Sequence, residues 1–60
     1  VKSHSTRFTW LHFKEPRVFK APDDTPFHRA AQMAELYFKK EYPEDEFLWT
    51  DVQVDICRLA

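Results

Sequence analysis

Sixty residues, 43% of them hydrophobic, allow one small domain and no more. Nine Lys and Arg against ten Asp and Glu give a formal net charge of −1, which lacks the basic footprint of a nucleic-acid-binding domain and argues against that partner. The single cysteine excludes an internal disulfide, and the lack of any glycine excludes a phosphate-cradling Gly-rich loop.

Residues 1–6, VKSHST, are polar and without period, and read as a flexible tail ahead of one domain over 7–60. The following RFTWLHFK alternates and is rich in aromatic and β-branched types, which predicts a strand from Arg7 to Lys14. Glu15-Pro16 interrupts it as a turn, and Arg17–Ala21 resumes as a second strand, so the two predict a hairpin. In PDDTPF, Thr25 suits a helix N-cap and Pro26 the first helical position, with Asp23 and Asp24 beside the positive end of the helix dipole. The helix is predicted over Pro26–Lys40. Its apolar stripe is Phe27, Ala30, Ala31, Ala34, Tyr37 and Phe38, with Met33 on the flank. Lys39 and Lys40 complement its C-terminal end, and Pro43 stops it. After the acidic Glu44–Glu46, a last strand is predicted from Phe47 to about Leu59. There Val52, Val54 and Ile56 alternate with Asp51, Gln53 and Asp55.

This β-β-α-β order predicts an α+β fold. If the first strand points up, the second points down, the helix returns up and the third strand points down. The third strand then pairs with the first, giving a three-stranded antiparallel sheet of order 2-1-3 with the helix on one face.

A tight turn at Glu15-Pro16 sets His12 opposite Phe19, Phe13 opposite Val18 and Leu11 opposite Lys20. One face then holds Leu11, Phe13, Val18, Val52, Val54 and Ile56, and is assigned to the helix. The other holds Phe8, Trp10, His12, Phe19 and Trp49 beside Asp51, Gln53 and Asp55. No second element is left to cover those aromatics, so these eight residues are the expected contact for a protein partner or a second copy. A register one residue different, or a bulge, would instead return Trp10 and Phe8 to the core.

The residues offer little for catalysis. His4, His12, His28 and Cys57 do not have metal-ligand spacing. Cys57 has only Arg58 nearby to activate it, and the carboxylates of Glu44, Asp45, Glu46, Asp51 and Asp55 read as a solvated rim. No catalytic, cofactor-binding or metal residue is assigned, and a non-enzyme is expected. No apolar run approaches the roughly 20 residues that span a bilayer. The first apolar cluster, broken by Arg7, His12 and Lys14, does not have the form of a signal peptide. With a lone thiol, the expectation is a cytoplasmic protein without a membrane partner.

Two resemblances add to this reading. The β-β-α-β order, the length, and AAQMAELYF followed by a last strand with Cys57 resemble the small podophage inhibitor of bacterial RNA polymerase, over about residues 7–57. The shared positions are chiefly Ala30, Ala34, Glu35 and Cys57. That resemblance implies a protein that binds the jaw of the polymerase through arginines on its last strand. Here the corresponding positions are Gln53 and Asp55. The hairpin and APDDTPF leading into the helix, residues 7–40, also resemble ubiquitin-like β-grasp domains, which would make the chain a truncated interaction domain without a Gly-tail for conjugation. Together these give a non-enzymatic protein-binding module, such as a phage-type inhibitor or adaptor, as the expected function. A structural homo-oligomer that buries the open sheet face is the alternative.

Overall fold

The computed structural model describes residues 3–12 and 15–58. Strand β1 runs His4–His12 and β2 Glu15–Lys20; helix α1 spans Phe27–Glu41, and β3 spans Val52–Arg58 after a short 3₁₀ turn, Trp49–Asp51. The sheet is antiparallel in the order β2-β1-β3, and α1 packs on one face of it, as the element order predicts.

β1 begins earlier than the sequence suggests. His4–Thr6 is strand rather than tail, paired with Arg58, Cys57 and Ile56, and Ser5 and Thr6 are buried. Long-range bonds hold this segment on its other side. Ala21 N–H donates to the Thr6 carbonyl at 2.9 Å, and Asp24 N–H to the His4 carbonyl at 2.8 Å. Asp24 takes a positive φ of 61°, which short polar side chains tolerate. Its Oδ1 accepts from Ser3 N–H at 2.9 Å, Ser3 Oγ at 2.8 Å and His4 N–H at 3.1 Å. Of the predicted tail, residues 1–2 lie outside the described residues.

The hairpin register also differs. Glu15 and Pro16 do not form the turn; they open β2, paired with His12 and Leu11. Phe13 and Lys14, which the sequence reading places in the first strand, lie outside the described residues. β2 is an edge strand, where a proline can face solvent without breaking a ladder.

The helix covers the face opposite to the one assigned from sequence. β1 sets Phe8 opposite Phe19 on β2 and Val54 on β3, and Trp10 opposite Arg17 and Val52. The apolar stripe of β3 thus shares the face of Phe8 and Trp10, while Gln53 and Asp55 pair with Thr9 and Arg7 on the other. With a period of two, one residue of register exchanges every side chain between faces. The physical preference is plain: two large aromatics offer more apolar area than Leu11 and Val18, and burying that area dominates folding.

Phe8, Trp10, Ala21, Ala30, Ala34 and Phe38 form the core. Trp10 sits edge-on to Phe38 (5.4 Å between ring centroids), Phe47 (5.1 Å) and Tyr42 (6.0 Å). The Arg17 guanidinium lies over both the Tyr42 ring (3.7 Å) and the Trp10 ring (4.9 Å), and pairs with Asp45 at 2.9 Å. Each aromatic contact contributes about 0.5–1.5 kcal/mol beyond area burial, which helps a chain this short.

α1 starts at Phe27, with Pro26 in the N-cap position (φ −56°, ψ 144°) and no side-chain cap. Thr25 is not the cap. Its hydroxyl donates to the Pro22 carbonyl at 2.6 Å and closes the preceding turn, so it is not free to reach the helix amides. At the other end the Tyr42 N–H donates to the Phe38 carbonyl, with Lys39 and Lys40 in the last turn. Phe47 and Leu48 precede the 3₁₀ turn and are not strand. Phe47 stacks on Phe38 at 5.6 Å and meets Trp49 edge-on at 5.1 Å, so its ring is engaged with the helix side of the core.

Candidate protein-binding surface

With α1 on the Phe8–Trp10 side, no described element covers the other face of the sheet. Antiparallel pairing sets its residues in rows: Lys20, Arg7 and Asp55, then Val18, Thr9 and Gln53, then Pro16 and Leu11. Leu11 and Val18 are diagonal neighbours across β1 and β2. They are 55% and 49% exposed, far above a core residue. At the end of this face Leu11, Thr50, Asp51, Val52 and Gln53 line a shallow open cleft of about 350 Å³. Arg7 Nη2 bonds Asp55 Oδ2 at 3.2 Å, both side chains about half exposed. A solvated pair of this kind adds only about 0–1 kcal/mol to stability. The surface is therefore a small apolar centre inside a rim of both charges.

The eight residues expected to form the contact divide between the two sides. Phe8 and Trp10 are fully buried under α1, so neither can present a surface to a partner. Phe19 is half-buried against Tyr37, at 5.1 Å. Trp49 lies on the helix side, where its indole N–H donates to Glu35 Oε1 at 2.7 Å. Of His12 only the backbone is described, paired with Glu15. Gln53 and Asp55 do lie on the open face, and Asp51 lines its cleft. Leu11 and Val18, placed in the core by the sequence reading, are its apolar centre. The signal that could have found them is the register Phe8 opposite Val54, which unites both apolar stripes on one side.

The two carboxylates with shifted acidity lie away from this face. The Ser3 backbone N–H and then its hydroxyl, helped by the His4 N–H, hold Asp24 below its ordinary range. The Lys39 ammonium and then the Trp49 indole do the same for Glu35. Both shifts are downward, so each group stabilises the fold above its ordinary unfolded value and loses that contribution as pH falls through its lowered folded value. Among the described residues no group of three or more His, Cys, Asp or Glu could hold a metal ion, and no helix is long and apolar enough to cross a membrane. Comparison of the chain with protein-family models, curated proteins and solved structures finds no significant match.

Proposed function

We propose that this chain is a non-catalytic protein-binding module that presents the helix-free face of its sheet to a folded partner. The observation that carries it is the exposure of Leu11 and Val18 at the centre of that face, ringed by Arg7, Lys20, Gln53 and Asp55. An apolar centre within a polar rim is the usual anatomy of an interface.

The resemblance to the podophage inhibitor makes bacterial RNA polymerase the partner to test, in a cytoplasmic setting. Gln53 and Asp55, which stand where that family has arginines, both lie on the open face, so the contact would set polar and acidic groups against a basic polymerase surface. Purified protein at micromolar concentration should suppress transcription from a bacterial promoter. Leu11→Lys with Val18→Lys should weaken that suppression by about tenfold or more while leaving the melting temperature unchanged. An inert wild-type protein removes the polymerase as partner. An equally potent double variant removes this face as the contact.

A further inference from the structure

The two edges of the sheet are built differently. β2 carries Pro16, which has no N–H to donate, and the charged Glu15, Arg17 and Lys20, all features that discourage pairing with another strand. β3, the opposite edge, is seven residues long and contains neither proline nor lysine. On its helix side Val54 and Ile56 remain 36% and 60% exposed, because α1 lies over β1 and β2. Phe27 and Trp49, exposed as well, flank the same Phe8 that Val54 pairs with. An edge of this length, alternation and exposure is a template for another strand.

We propose that β3 pairs antiparallel with β3 of a second copy of this chain, joining two three-stranded sheets into one of six strands about a two-fold axis at Val54. The β3 sequence itself selects the register. A two-fold axis perpendicular to the sheet keeps helix-side residues opposite helix-side residues, so the axis must fall midway between one residue and its own copy. An axis at Asp55 sets two carboxylates face to face, and an axis at Gln53 sets Asp55 opposite Asp51; like charges directly opposed are destabilising. An axis at Ile56 sets Val54 opposite Arg58 and breaks the apolar ladder. An axis at Val54 sets Val54 against itself, Val52 against Ile56 and Gln53 against Asp55. That register matches every apolar residue of the helix-side stripe of β3 and opposes no like charges. It also lets the Gln53 amide donate to an Asp55 carboxylate that already accepts from Arg7. This surface is the sheet edge; it shares Gln53 and Asp55 with the rim of the open face proposed for a foreign partner, but not that face's apolar centre, Leu11 and Val18.

Sedimentation equilibrium of the whole chain from micromolar to millimolar concentration tests it. The expected result is a monomer–dimer equilibrium. Gln53→Glu, which opposes Asp55 twice in each dimer, should weaken dimerisation by about two- to thirtyfold, whereas Gln53→Lys should tighten it. Both changes are at an exposed residue and leave the core untouched. Leu11→Lys with Val18→Lys should leave the dimer intact. A chain that stays monomeric throughout overturns the proposal, as does a dimer that Gln53→Glu and Gln53→Lys affect alike. Loss of the dimer in the Leu11 and Val18 variant would place self-association on the open face and overturn it too.

Discussion

Trp10→Ala is expected to destabilise the fold by about 3–5 kcal/mol, the usual range for removing a buried large aromatic. Trp10 is fully buried, and its ring meets Phe38, Tyr42 and Phe47 while Arg17 lies over it. Truncation leaves a cavity bounded by three strands' worth of backbone and one helix, with little freedom to collapse. A core of this size supplies about 3–5 kcal/mol in total, so the variant should be largely unfolded at room temperature. Far-ultraviolet circular dichroism and a urea titration would read this. A midpoint equal to that of the wild type would place Trp10 outside the core.

Ala34→Leu should cost about 1–3 kcal/mol for the opposite reason, overpacking. Ala30 and Ala34 are fully buried on the stripe that α1 presents to the sheet, two turns and one turn before Phe38. Small side chains there let the helix approach closely enough for Phe38 to reach Trp10 at 5.4 Å. Three added carbons at Ala34 would push the helix outward and weaken that contact. Thermal melting checks it. A variant as stable as the wild type would mean that the helix and sheet have space between them that the burial of Ala34 does not show.

The element order was legible because strong local signals agree with it. Proline at 22, 26 and 43, alternation along β1 and β3, and the 3.6-residue stripe of α1 each point to one assignment, and strand direction then leaves β3 beside β1. The assignment of faces was not legible locally. β1 carries apolar residues at both even and odd positions, Phe8 and Trp10 against Leu11, so alternation alone does not say which side is core. The choice depends on the pairing of Phe8 with Val54, residues 46 apart in sequence, and on a hairpin connection without glycine or asparagine to mark it. The start of β1 was hidden in the same way. VKSHST looks like a tail until Asp24, at positive φ, turns its carboxylate onto Ser3 and His4. Gln53 and Asp55 do form a polar stripe along β3, yet their neighbours are Thr9 and Arg7 rather than the aromatics.

Partner binding through the sheet requires that its aromatic face be buried and its Leu11–Val18 face be open. Solvent paramagnetic relaxation, recorded by NMR with a soluble gadolinium chelate, reads both faces in one sample. Strong relaxation is expected at the Leu11 and Val18 methyl groups and weak relaxation at the Trp10 and Phe8 ring protons. Protected methyls at Leu11 and Val18 together with strongly relaxed Trp10 and Phe8 rings would contradict the account, because the helix would then lie on the other face.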